Sequence, residues 1–127
     1  MSGLVLRTLP GRFAVCRLES TAPLPSWIGE SFVSITRTSE ELSIICDEAL
    51  VPADVRAERG FTCMQLLGPI AFETTGIAAA IATPLAEAGI SVLIVATFDT
   101  DYVLVREEAV DAARAALALK GGLRIED

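Results

Sequence analysis

Between Gly76 and Phe98 the chain runs for 23 residues with a single charged side chain, Glu87. A stretch of that kind either spans a membrane or is an apolar helix followed by an apolar strand. Its interior selects the second outcome. Thr83-Pro84 and Glu87-Ala88-Gly89 interrupt it, and past Gly89 the composition turns from alanine-rich to β-branched, as a helix, a stop and a strand would. No transmembrane helix is expected.

The same alternation extends to both sides. The pattern predicts a strand at 61–67, a turn at Gly68-Pro69, a helix at 75–88, a strand at 90–98, a tight turn at Asp99-Thr100, a strand at 101–105, a helix at 107–119 and a last strand at 123–126. Read in order this is βαββαβ. Thr74 or Thr75 can cap the first helix, and Ile77, Ile81, Leu85 and Ala88 recur at helical spacing as one buried stripe. Pro84 lacks an N–H, so inside that helix it predicts a kink or an early end. In the second helix Glu107 and Glu108 suit the positive N-terminal end and Lys120 the C-terminal end. Val110, Ala113 and Leu117 face inward, and Gly121-Gly122 stops it. Along the 90–98 strand the even positions, Ile90 to Phe98, can face the helices. Leu93 and Val95 on the other face are apolar too, which predicts a second layer or subunit over them.

Sliding the chain against itself by 60 residues aligns 32–50 with 92–110 without a gap. Val33 meets Leu93, Ile35 meets Val95, Glu41 meets Asp101, and Glu48-Ala49 meets the identical Glu108-Ala109. The chain is thus read as a degenerate internal repeat, residues 1–60 and 61–127, packed as one compact body. In the first copy Pro23 and Pro25 allow at most a turn where the leading helix should be, and the other helix is cut short near 52–59. Trp27 is expected to pin that loop to the body.

Composition then narrows the function. The 127 residues hold 10 Lys and Arg against 17 Asp and Glu, a net charge of −7, and no histidine. Ser/His/Asp and Cys/His nucleophile systems and His-ligated metal sites are excluded as usually built. The acidic balance, with no run of Lys or Arg longer than one, disfavours nucleic acid and points to small-molecule or protein partners. Cys16, Cys46 and Cys63 each sit in an apolar run without a CxxC, which predicts buried, reduced thiols and a cytoplasmic protein. Residues 1–9 lack the basic start and cleavage site of a signal peptide.

Three blocks carry a family resemblance: Ser34-Ile35-Thr36-Arg37-Thr38 with Glu41-Leu42-Ser43-Ile44-Ile45-Cys46, Gly68-Pro69-Ile70 leading to Thr75-Gly76-Ile77, and the segment from Thr97-Phe98-Asp99 through Val105. They resemble the small tandem ACT-domain proteins and are similar to the ACT pairs of the CASTOR amino-acid sensors and of aspartokinases. The resemblance covers nearly the whole chain. It implies an α+β, ferredoxin-like fold in two tandem units with the first degenerate, a ligand held where ACT units meet, no chemistry performed and no cofactor.

An α-amino acid carries both charges, so its site needs an anion-binding and a cation-binding element a few ångströms apart. The turn 71–76 delivers a helix N-terminus whose free N–H groups, near Thr75, Gly76 and Ile77, can take a carboxylate, and Gly76 lets a ligand approach the backbone. By the resemblance, the family's ligand positions fall on Phe98 and Asp101, with Glu73 or Thr74 in the approach turn. Asp101 would hold the ammonium, or a basic side chain, and Phe98 would wall the pocket. Each residue also has a plainer role: Asp99 and Asp101 as hairpin-turn residues, Thr74 and Thr75 as caps, Phe98 as core.

Three functions compete on this reading. The leading one is a non-enzymatic amino-acid sensor, a homodimer whose acidic wall favours a basic or small neutral ligand. The second is an ACT-like structural or interaction module without a pocket. The third is an enzyme using Asp99 and Asp101 as acid, base or Mg²⁺ ligands, for which one close carboxylate pair with no basic partner and no phosphate loop is a thin basis.

Overall fold

A computed structural model describes residues 3–68, 70, 71 and 73–126; Pro69, part of the turn expected at Gly68-Pro69, lies outside them. Among the described residues eight strands and two α-helices follow one another: β1 Val5–Thr8, β2 Phe13–Leu18, β3 Ser34–Arg37, β4 Leu42–Asp47, β5 Ala57–Leu66, α1 Ile77–Glu87, β6 Leu93–Ala96, β7 Asp101–Arg106, α2 Val110–Leu119 and β8 Arg124–Glu126. Single 3-10 turns stand at Ser26–Ile28, Glu48–Leu50 and Glu107–Ala109. The chain divides into two units, residues 11–61 and residues 1–10 with 62–127. The first ten residues, counted with the N-terminal half in the sequence, therefore group with the C-terminal half.

The C-terminal unit is the βαββαβ arrangement, with its strands in the order β6-β7-β5-β1-β8. Removing β1 leaves the ferredoxin-like order. β1 is inserted between β5, to which it is antiparallel (Leu6 opposite Leu66), and β8, to which it is parallel (Leu6 opposite Ile125). Ile77, Ile81 and Leu85 of α1 and Ala113 and Leu117 of α2 pack on Leu6, Met64, Leu66, Val103 and Val105 of the sheet. Two stripes at a spacing of three to four residues thus meet one strand face at a spacing of two.

The same region departs from expectation in four places. Ala88, placed in the stripe, is exposed at the end of α1. β6 covers four residues instead of nine: residues 90–92 precede it without strand pairing and the turn takes 97–100; Ile90, Val92 and Ile94 still pack on the core, whereas Phe98 is 84% exposed. Pro84 does not end α1, which continues to Glu87 with the proline buried in its last turn. Neither Thr74 nor Thr75 caps α1: Gly76 stands at its head in the left-handed conformation, and no side chain bonds there.

The 11–61 unit has the strand order β3-β4-β2-β5, with the first residues of β5 pairing to β2. Where the other unit has helices it has the 3-10 turns at Ser26–Ile28 and Glu48–Leu50, the latter capped by the Asp47 carboxylate accepting from Ala49 N–H at 3.0 Å. The second helix of this copy, expected to be cut short near 52–59, is reduced to the turn at Glu48–Leu50, and residues 57–59 already belong to β5. Ala22, Trp27, Ile28 and Val55 close over Ala14, Cys16, Leu42, Ile44 and Cys46 in place of a helix layer. Arg37 holds that covering loop by donating to the carbonyls of Ser20 and Ala22.

A segment recurs between the units, at a spacing one residue shorter than the sequence alignment proposes. β3, β4 and the turn at Glu48–Leu50 reappear 59 positions on, from 93 − 34, as β6, β7 and the turn at Glu107–Ala109. Both hairpins also close on four-residue turns, Arg37 opposite Leu42 and Ala96 opposite Asp101. At this spacing core residues meet core residues, Ile44 with Val103 and Cys46 with Val105. A spacing of 60 exchanges the faces, since a one-residue slip inverts a strand.

Candidate functional site

In the C-terminal unit, the head of α1 and the β6–β7 turn line one cleft of about 310 Å³. The turn is built by its threonines. Thr97 N–H and Thr97 Oγ1 both donate to Thr100 O at 2.8 Å, and Thr97 Oγ1 accepts from Thr100 N–H at 3.2 Å. Thr100 is 7% exposed and its hydroxyl donates to Leu66 O at 2.6 Å, fastening the turn to the end of β5. Ile70 N–H donates to Asp99 O at 2.8 Å. A β-carbon on Gly68 would stand 3.1 Å from Asp99 O and 3.2 Å from Thr100 Cβ, so glycine is what lets the two segments approach this closely.

The other wall is the start of α1. Gly76 has φ 82°, and its carbonyl accepts the first helical bond, from Ala80 N–H at 2.9 Å. With no side-chain cap, the N–H groups of the first turn and the positive end of the helix dipole are open to an anion. Gly76, Ile77 and Ala78 line the cleft there, and Thr74 stands on the approach, its N–H donating to Ala71 O at 2.9 Å.

Among the residues expected from sequence, Thr74, Gly76, Ile77, Phe98 and Asp101 line the cleft. Glu73 and Thr75 are exposed and do not line it. Sequence reasoning did not single out Thr97 and Thr100 for the site, although their position around Asp99 is the mark of a side-chain-closed turn. Two carboxylates, the partly buried Asp101 and the exposed Asp99, line the cleft, and its described lining includes no Lys or Arg. The cleft thus sets a helix N-terminus opposite negative side chains, an arrangement that can hold a molecule with an anionic and a cationic end.

The three cysteines stand apart from this. All are free and buried. Desolvation pushes the thiols of Cys46 and Cys63 up to about 12 and raises that of Cys16, which is hydrogen-bonded with Cys46. No group of three or more His, Cys, Asp or Glu side chains among the described residues could hold a metal ion, and no helix among them is long and apolar enough to cross a membrane.

Residues 56–118 match the family model of the ACT domain, and a second model, an N-terminal domain, matches residues 11–54. The chain carries an ACT domain over residues 56–118. It belongs to the same family as protein Atu0741 from Agrobacterium tumefaciens, whose crystal structure it matches at 39% identity and a TM-score of 0.90 over 97% of this chain and 92% of that one. At the level of fold alone it is similar to the Vibrio cholerae protein VC0802, described as a possible transport protein (24% identity, TM-score 0.74, covering 91% and 88%). The regulatory subunit of aspartate kinase from Thermus flavus shares the fold likewise (15% identity, TM-score 0.59, covering 92% and 95%). No curated protein matches the chain.

Proposed function

We propose that this protein senses a free amino acid without performing chemistry on it. The observation that carries the reading is the pairing, in one cleft, of an uncapped helix N-terminus at Gly76–Ala78 with the carboxylate of Asp101. The ligand carboxylate sits on the N–H groups of the first turn of α1. The ammonium sits on Asp101, and Phe98 and Thr74 border the entrance. Glu73 and Thr75 belong to the segment that leads there and act on the ligand only through its position. With Asp99 and Asp101 both acidic, a basic or small neutral amino acid fits better than an acidic one.

The 11–61 unit is, on this reading, a degenerate ACT unit and the chain a tandem pair, 1–60 and 61–127 in the sequence. Its strand order and the 59-residue recurrence support that view. The protein works in the cytoplasm as a homodimer, with no cofactor and no nucleic-acid partner.

Thermal unfolding in the presence of each common amino acid tests the proposal. A ligand at about 100 times its Kd adds about 2.7 kcal/mol to stability. The expected result is a raised midpoint with one amino acid or a chemically related few; no shift with any of them overturns the reading.

A further inference from the structure

The two hairpins that recur 59 positions apart close their turns with the same bonds. Thr38 N–H donates to Glu41 O at 2.9 Å and Thr38 Oγ1 accepts from Glu41 N–H at 3.2 Å, as Thr97 does with Thr100. The 11–61 unit therefore keeps the turn that forms one wall of the cleft in the other unit. What faces that turn differs. Asp99 O accepts from Ile70 N–H, whereas its counterpart Glu40 O accepts from the Arg17 guanidinium at 3.0 Å. Asp101 corresponds to Leu42, which is buried in the core, and Ala96, on the lining of the cleft, corresponds to Arg37. A loop with one 3-10 turn follows β2 where α1 follows β5. That loop presents the carbonyls of Ser20 and Ala22, and Arg37 donates to both, to Ala22 O at 2.7 Å.

The cleft offers N–H groups and a carboxylate to a molecule with two charges; this place offers oxygens to a cation alone. Two carbonyls bridged by one side chain suit the forked guanidinium better than the single point of an ammonium. We propose that the 11–61 unit holds an alkylguanidinium site at the position of a second cleft, filled by Arg37 of the chain itself, so that the protein takes one amino acid per chain and not two. The count rests on the amino-acid reading above; the guanidinium site does not. In a chain of net charge −7 a vacated pair of acceptors would draw a cation from solution. The tethered arginine forestalls that, because it is always charged and never more than a side chain's length away. Arg37 is exposed, so its place can be emptied and refilled from solution.

The test empties the site and refills it. Arg37→Ala removes everything beyond Cβ, which is an ethylguanidinium group, and ethylguanidinium can be returned in solution. In urea unfolding of the full chain the variant is expected to have a lower midpoint than the wild type and to regain most of the difference in millimolar ethylguanidinium. The wild type should not move, and ethylammonium at the same concentration should have no such effect on the variant. Arg37→Gln, which keeps part of the stem, takes the place of Arg37→Ala if the latter does not fold. A variant as stable as the wild type, no recovery, or equal recovery with ethylammonium overturns the proposal. Calorimetric titration of the wild type with the responding amino acid should give one site per chain, and two sites overturn the proposal as well. Binding of no amino acid at all overturns the amino-acid reading instead, and the ethylguanidinium result still decides whether the site exists.

Discussion

The carbonyl oxygen of Ala80 stands 2.9 Å from the point a β-carbon on Gly121 would occupy. The cause lies four residues on. A helical carbonyl normally receives the N–H of residue i+4, and for Ala80 that residue is Pro84, which has none. The freed oxygen faces the backbone after α2, where Leu117 O and Leu123 Cδ1 also lie 2.7 Å from the same point. The proline in one helix and the glycine behind the other are therefore one feature of the packing.

Gly121→Ala is accordingly expected to destabilise the protein by about 1–3 kcal/mol, the usual cost of forcing an extra carbon into a filled space. Its urea midpoint should fall with little change in slope. A variant as stable as the wild type would mean that the two helices slide apart freely.

Asp101→Ala separates ligand binding from folding. Asp101 makes the first pair of the β6–β7 hairpin through its backbone, opposite Ala96, and the substitution keeps that pairing. Stability should stay within about 0.5 kcal/mol of wild type, while the midpoint shift produced by the responding amino acid disappears. An intact response in the variant would remove Asp101 from the site.

Thr100→Val removes the hydroxyl that holds the turn to β5 and leaves Leu66 O buried without it. The expected loss is about 1–3 kcal/mol, together with a weaker amino-acid response because Asp99 and Asp101 lose their fixed positions. Thr100→Ser, which keeps the donor, should recover most of both when melting is followed with and without ligand.

The buried thiols give the protein an alkaline limit. Cys46 and Cys63 ionise near 9.0 when unfolded and only at about 12 when folded. Below pH 9 both states hold the protons and the thiols favour neither. As pH rises from about 9 towards 12 the unfolded chain alone releases them, so each thiol lowers stability by up to about 1.4 kcal/mol per pH unit. Denaturant melts at stepped pH should show this decline, and Cys46→Ala with Cys63→Ala should flatten it. In the folded protein at pH 8 a thiol reagent should react only as fast as the chain opens.

How much of this was legible in the sequence follows from where periodic burial decides structure and where it does not. The helices were readable because Ile77, Ile81 and Leu85, and Ala113 and Leu117, repeat with the helical turn and sink into one core. The two lining segments of the cleft were readable through glycine, threonine and aspartate at a helix head and a hairpin. The head of α1 was misread because threonine is the commoner cap; here the chain needs φ 82° at Gly76, a conformation suited to glycine. The internal recurrence lies one residue from the spacing the apolar pattern suggests, because matching apolar character alone does not fix which strand face a residue takes. The alternation of faces is weak in β7, where Val103, Leu104 and Val105 are all buried. β1 left no trace in the reading, since four residues of mixed character say nothing about a partner over a hundred positions away.

That strand has a consequence for how the molecule is made. Val5 lies opposite Arg124, 119 positions further along. During synthesis Leu6 emerges well before β8, one of its two neighbours in the sheet, and the slot between β5 and β8 is complete only when β8 has arrived. Loop closure over such a distance is slow, so the nascent chain passes through a period with an unzipped, oily middle.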